Sequence, residues 1–375
     1  MGLKTVAEFK IQRLEILNPD GKIDPSVEFS ITDEKLLDIY RKMVEIRVFD
    51  GLAFQLQRQG RLGTYPQVLG QEATQIVPPL CLNPKDWLVP TYRGAGCYYA
   101  RGMKLRSSLL YWGGDDRGVK FPEGNNDVLF TVPVGTHLTQ VAGLAWASVI
   151  KKDGLVALTY LGDGTSSKGD LHEGLTFAGQ LKAPAIYIIE NNHWAISVPR
   201  AKQAATQTLA QKAFGYGAFG LQVDGNDALA VYKAVTEAVA RARAGQGPTV
   251  LECETYRMGH HTTADDATRY RSKEEVEAWS KKDPILRLKL YIQSKGLWSD
   301  AEEAKLKASA EAMVQSEIEE YEGSLDPNPL DMFAHNYASA PWPLIEQRKE
   351  LEALLEIKKS RKEVPELPPA EGRFP

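Results

Sequence analysis

The sequence predicts an α/β fold: a doubly wound, mainly parallel sheet with helices on both faces, preceded by an N-terminal helix and followed by a C-terminal helical arm. Two observations carry this. Four short runs, LVALTYL at 155 to 161, AIYII at 185 to 189, GLQV at 220 to 223 and TVLECETY at 249 to 256, are largely apolar, as strands covered on both faces of a parallel sheet are. Between them lie stretches with helical patterning, at 137 to 152, 170 to 181 and 227 to 244, long enough to serve as crossovers between parallel strands.

The flanking elements follow from local signals. Residues 32 to 60 read as one long helix, because Thr32-Asp33-Glu34 offers a cap and Leu36, Leu37, Tyr40, Met43, Val44 and Phe49 recur near helical spacing. The helix at 227 to 244 is capped by Asn226 or Asp227 and stopped by Gly245. Residues 258 to 282 are polar with little apolar periodicity and read as a long loop or lid. Helices follow at 284 to 295 and 300 to 321, and another around 343 to 359 stands between Pro-rich pieces, with the terminal ELPPAEGRFP expected as an arm or partly disordered tail. The expected organisation is an N-terminal extension with its helix, 1–60, an α/β domain, 61–325, and a C-terminal arm, 326–375.

A chain of 375 residues that is 43% hydrophobic and 25% charged, with a formal net charge of -4, has the composition of a soluble globular protein with a sizeable core. That charge gives no general attraction to nucleic acid or an anionic membrane, so neither is an expected partner. No apolar run reaches membrane-spanning length, and the opening MGLKTVAEFKIQRLEI lacks the apolar core of a secretory signal. Cys81, Cys97 and Cys253 are far apart and lack metal-ligand spacing, which suggests neither a disulfide framework nor a zinc site. A reducing compartment, the cytoplasm, is the expected location.

The most informative stretch is YLGDGTSSKGDL, Tyr160 to Leu171, where an acid stands between two glycines at the end of an apolar run. A glycine-rich turn after a strand usually holds phosphate with backbone N–H groups, and Asp163 would repel that anion. A Walker loop needs Gly-Lys-Ser/Thr, but Lys168 is followed by Gly169 and Asp170; the dinucleotide fingerprint needs a third glycine where Ser167 stands. Asp163 is therefore read as the ligand of a divalent cation, which inverts the charge logic and binds a pyrophosphate in turn. Such a cation needs a second oxygen donor at a neighbouring strand end. One helix and one strand later the chain returns to the same sheet edge with Asn191 and Asn192, in IIENNHWAI. The plain alternative is a pair of ordinary turns, since Gly, Asp and Asn are common turn formers.

Gly162-Asp163-Gly164 paired with Asn191-Asn192 resembles the pattern of thiamine-diphosphate enzymes, and implies their cofactor-binding fold. With LQRQGRLGTY at 56 to 65, GQEA at 70 to 73, PTYRG at 90 to 94, QTLAQKAFGYGAFGLQVDGND and ETYRMGHHTTADDATRYR at 254 to 271, the chain from about residue 10 to about 345 is similar to the alpha subunits of the thiamine-diphosphate-dependent 2-oxo acid dehydrogenases. Within that family it most resembles the decarboxylating component of bacterial pyruvate dehydrogenase complexes, with the branched-chain relatives as the alternative.

The resemblance implies thiamine diphosphate and magnesium as cofactors. It makes Asp163, Asn192 and the Trp194 carbonyl the metal ligands, and Tyr92, Arg93, Val134, Gly162, Gly164, Thr165, Arg257 and His261 the cofactor-binding residues. His261 is also the expected catalytic residue, as general acid or orienting group, with His260 structural or solvent-facing. Arg93 and Arg257 each follow a predicted strand, where a guanidinium fork suits a pyrophosphate. Relatives often carry a further histidine in the loop after the helix near residue 110; WGGDDRGVKFPEG has none, with Asp115 or Asp116 near its place. The implied partners are a beta subunit, in a heterotetramer of two alpha and two beta chains, the lipoyl domain of an acyltransferase, and a small 2-oxo acid. The competing readings are a non-catalytic nucleotide-binding subunit and a self-sufficient thiamine enzyme, which would need a second such domain in the chain.

Overall fold

The computed structural model describes residues 2–129, 132–325, 328–334 and 336–360. It comprises two compact units, Met1–Tyr321 and Glu322–Pro375. In the first, the strands of the central sheet are β1 (Arg13–Leu14), β2 (Trp87–Val89), β3 (Asn126–Asp127), β4 (Ala157–Gly162), β5 (Ala185–Asn191), β8 (Phe219–Asp224) and β9 (Thr249–Glu254). A separate hairpin is formed by β6 (Trp194–Ala195) and β7 (Val198–Pro199). The sheet has the order β1-β8-β9-β5-β4-β2-β3, and its strand pairings are parallel throughout.

The helices are α1 (Asp33–Arg58), α2 (Glu72–Ile76), α3 (Ala95–Ala100), α4 (Leu105–Trp112), α5 (His137–Lys151), α6 (Gly169–Gln180), α7 (Arg200–Gln203), α8 (Ala228–Arg243), α9 (Lys273–Ser280), α10 (Pro284–Ser294) and α11 (Asp300–Gly323). Successive strand residues serve opposite faces, as the two-residue period of a strand requires. Leu158 and Tyr160 of β4 and Ile186 and Ile188 of β5 join one core with side chains of α1, α2, α3, α8 and α10. Ala157, Leu161, Tyr187 and Ile189 join the other with α5 and α6. The sheet is thus covered on both sides, which explains why its central strands read as continuous apolar runs.

The caps agree with the sequence. Thr32 accepts a hydrogen bond from Lys35 N at the start of α1, and Asp227, rather than Asn226, caps α8 by accepting from Leu229 N and Ala230 N. The stretch 258–282 differs from the loop expected there, since it contains the short 3-10 turn Ala267–Arg269 and the helix α9. The cause is local: Ser272 accepts from Glu275 N, and Glu274 and Glu275 lie in the first turn, where acidic side chains favour a helix. In the second unit the helix α12 (Trp342–Ser360) has no buried side chains, as an arm would. The expected tail, ELPPAEGRFP, lies outside the described residues. Among those described, no helix is long and apolar enough to cross a membrane, and the three cysteines are free.

Candidate active site

Register builds the site. Gly162 of β4 pairs with Glu190 of β5, and Asn191 of β5 pairs with Glu254 of β9, so the GDG turn, the Asn-Asn turn and the segment entering 255–261 all leave the sheet at one carboxyl edge. The edge is stitched further by Thr255 N to Asn191 O at 2.9 Å. Packing at the GDG turn is close: a Cβ on Gly164 would lie 2.5 Å from Ala195 Cβ, so only glycine lets this turn approach the β6–β7 hairpin, whereas a Cβ on Gly162 would make an ordinary contact with Thr165 Oγ1 at 3.9 Å.

Asp163 is 2% exposed, and its Oδ2 has no hydrogen-bond partner among the described residues. Burial pushes its carboxyl up to about 6, against backbone N–H groups and the charges of His193 and Arg257. The two asparagines divide their work. Asn191 donates to Glu252 Oε1 at 2.8 Å and so ties the turn to the sheet, while Asn192 donates to Gln71 Oε1 at 2.9 Å and its own Oδ1 accepts from Trp194 N at 3.3 Å. His193 between Asn192 and Trp194 has φ 69°, a left-handed conformation that costs a non-glycine residue energy. Its Nε2 lies 3.3 Å from Glu254, whose carboxyl is held down to about 2, chiefly by that histidine and by Arg13.

The opposite wall is rich in donors. Arg93, 5% exposed, donates to Gln67 O at 2.6 Å and to His261 O at 2.8 Å. Arg257, 1% exposed, donates to Trp194 O at 3.3 Å, Ile196 O at 2.8 Å and Tyr270 Oη at 2.8 Å, and its Nε has no partner among the described residues. Burial and the nearby Arg93 pull the Arg257 guanidinium down to about 10. Both arginines also face His261 Nδ1, at 3.2 and 3.0 Å. A guanidinium can only donate, so Nδ1 accepts and the proton of the neutral ring sits on Nε2. Burial and the two arginines lower His261 to about 3, with Asp265 opposing. The imidazole is therefore a neutral Nε2–H donor here. Tyr92 completes the wall, with Arg93 over its ring at 5.5 Å and His261 edge-on at 6.2 Å.

Asp163, Asn192, Trp194, Arg257, His261, Arg93 and Tyr92 are thus linked around one sheet edge, with Thr165 buried in the adjoining turn. Val134 takes no part in this network and is 45% exposed on the approach to α5. His260 turns away: its ring stacks on Phe54 and its Nδ1 accepts from Ala267 N at 3.0 Å. Asp115 in the histidine-free loop is occupied with Arg117, accepting from its backbone N at 2.9 Å and its guanidinium. Two contributors went unnoticed in the sequence. Gln71, 0% exposed, holds Asn192 and has an unpartnered Nε2 among the described residues; the GQEA motif that contains it was the available signal. Arg271 donates to Arg257 O, Met258 O and Gly259 O and so braces the segment after β9 that carries Arg257.

Comparison with known proteins gives the family. The family described as Dehydrogenase E1 component matches residues 40–330. The chain is 42% identical over 340 residues to a "Pyruvate dehydrogenase E1 component subunit alpha" of Staphylococcus epidermidis, covering 90% of this chain and 92% of that one. It is 41% identical, with the same coverage, to the protein of that name from Staphylococcus aureus.

Proposed function

Because the chain belongs to the dehydrogenase E1 component family, we propose that it is the alpha subunit of a pyruvate dehydrogenase, decarboxylating pyruvate with thiamine diphosphate and magnesium and acetylating a lipoyl group. The observation that carries the cofactor assignment is a pair of desolvated charges of opposite sign at one sheet edge. Asp163 presents an unpartnered carboxylate oxygen, and Arg257, whose charge acts on that carboxyl, has an unpartnered buried Nε and meets Arg93 through His261 Nδ1, with Tyr92 against Arg93. A lone buried carboxylate costs several kcal/mol, and so does a lone buried cation. A magnesium diphosphate answers both.

The donor set fits that group. Asp163 Oδ2, the Asn192 amide oxygen and the Trp194 carbonyl are hard oxygen donors of the kind magnesium prefers. Tyr92, Arg93 and Arg257 would hold the diphosphate, with the Gly162–Thr165 turn beside it and Val134 offering backbone groups to the aminopyrimidine. Thiamine diphosphate, when bound, supplies the nucleophilic carbon and the electron sink for decarboxylation. His261 then acts through its Nε2–H, as a donor that orients the substrate or the incoming lipoyl group, because two guanidiniums keep the ring neutral.

The names of the relatives favour pyruvate over branched-chain 2-oxo acids. The described sheet is that of one cofactor-binding domain, so the acid that must meet the aminopyrimidine ring is assigned to a beta chain, in a cytoplasmic heterotetramer of two alpha and two beta chains served by the lipoyl domain of an acyltransferase. The test is an assay of the reconstituted complex with pyruvate and with branched-chain 2-oxo acids. Preference for pyruvate is expected. A branched-chain preference would overturn the substrate, and no turnover of any 2-oxo acid would overturn the function.

A further inference from the structure

Beside the site stands a buried carboxylate that the reading above does not use. Asp50, in the middle of α1, is 1% exposed. Its Oδ1 accepts from Tyr65 Oη at 3.1 Å and from Val68 N at 2.7 Å, and its Oδ2 faces Gln67 Nε2 at 3.5 Å. All three donors belong to one short segment, 65–68. An aliphatic side chain would fill a helix position facing the core without the desolvation cost of a carboxylate, so packing does not account for an acid here.

The segment that Asp50 holds has other attachments, and they run to the site. Gln67 O is the acceptor of Arg93 Nη1 at 2.6 Å. Tyr65 pairs with the loop bearing His261: Tyr65 N donates to Thr263 Oγ1 at 3.0 Å and Thr263 N donates to Tyr65 O at 3.0 Å. Gly259 packs on the Gln67 side chain so closely that a Cβ there would fall 2.7 Å from its Oε1. One carboxylate on a long helix therefore fixes a segment that grips both an anion-facing arginine and the loop of the candidate catalytic histidine. Burial pushes the Asp50 carboxyl up to about 7, with the Val68 N–H, Tyr65 and Arg93 opposing and the Glu72 carboxylate adding to the rise.

We propose that Asp50 is a positioning residue: through Tyr65, Gln67 and Val68 it sets where the Arg93 guanidinium and the His261 loop stand. Its effect on cofactor affinity rests on the reading of Arg93 as a diphosphate ligand. Its effect on His261 does not, because Arg93 meets His261 Nδ1 without any cofactor.

The experiment uses the full chain with its beta chain, free of cofactor, and follows the His261 ring by NMR through an acid titration. In the parent His261 stays neutral far below the ordinary histidine range. In Asp50→Ala, Arg93 is released from its carbonyl anchor and the His261 midpoint rises by about one pH unit or more. Arg93→Gln gives a like rise, and the double variant adds little to either, the signature of two residues acting as a unit. In a second arm, affinity for thiamine diphosphate with magnesium falls on the order of tenfold in Asp50→Ala and no further when Arg93→Gln is already present. A folded Asp50→Ala whose His261 titration is unmoved, or effects that simply add, overturns the proposal. A His261 shift with unchanged cofactor affinity upholds the positioning role and removes Arg93 from the diphosphate site. Should Asp50→Ala not fold, Asp50→Asn keeps the volume and one acceptor oxygen; a smaller shift in the same direction supports the proposal and an unmoved titration rejects it.

Discussion

The two walls of the site are built differently. The Asp163 wall hangs on adjacent strands, β4 and β5, whose register alone brings its turns together. The Arg93–Arg257–His261 wall is assembled from segments far apart in the chain and held by carbonyls of Gln67, Trp194 and Ile196. Burial acts on both, and in opposite directions. It raises the Asp163 carboxyl and lowers Arg257 and His261, so each wall is poised against its own charge. The lesson is that each wall holds a group against its own charge, which is what the proposed reading of a cation and an anion bound together answers.

If both walls still form only half of the catalytic centre, the largest effect comes from leaving the partner out. The chain alone, given thiamine diphosphate, magnesium and pyruvate, releases no carbon dioxide above background, and adding the cognate beta chain restores turnover. Full turnover by the isolated chain would mean that a single wall-pair suffices.

The second comparison separates holding from chemistry within the arginine wall. His261→Ala keeps cofactor affinity, because Arg93 and Arg257 remain, yet acyl transfer to the lipoyl group falls on the order of 10²-fold. Parallel assays with an artificial electron acceptor and with the lipoyl domain locate the loss, and normal rates in both would take the role away from His261.

A smaller effect is expected from Arg257→Lys. The ammonium keeps the charge but cannot reach Trp194 O, Ile196 O and Tyr270 Oη together as the guanidinium fork does. Cofactor affinity should drop on the order of tenfold by calorimetric titration. An unchanged affinity would show that charge alone matters there.

The smallest effect is one of pH. His261 has a folded value of about 3, below its ordinary one, so between the two the unfolded chain binds a proton that the folded chain refuses. The stability that comes from keeping the ring neutral is complete above the ordinary histidine range and is lost as pH falls towards the folded value. The cofactor-free parent should therefore lose more melting temperature between about pH 7.5 and about pH 5 than His261→Asn does. Equal losses would contradict the buried, neutral ring.

How much of this was legible in the sequence follows the same division. GDG and Asn-Asn could be read because each sits at the end of an apolar run and a parallel sheet returns one beside the other. Arg93, Arg257 and His261 could be named only through a resemblance, since nothing local says that residues 93, 257 and 261 meet. Asp50 and Gln71 were invisible for the same reason: an acid in a long helix and a glutamine after a glycine gain meaning only from Tyr65, Val68 and Asn192, which the fold supplies. Helix α9 was a different kind of miss. Ser272 followed three residues later by Glu275 is a capping pattern, and the polar composition of 258–282 hid it.

The claim that the two walls serve one joined ligand is tested most directly by titrating the alpha–beta complex with thiamine diphosphate, with and without magnesium, in the parent and in Asp163→Ala. Tight binding in the parent that depends on magnesium, weakened on the order of 10²-fold in Asp163→Ala with the metal dependence gone, is the predicted result. An Asp163→Ala affinity within about twofold of the parent, or parent binding indifferent to magnesium, would contradict it.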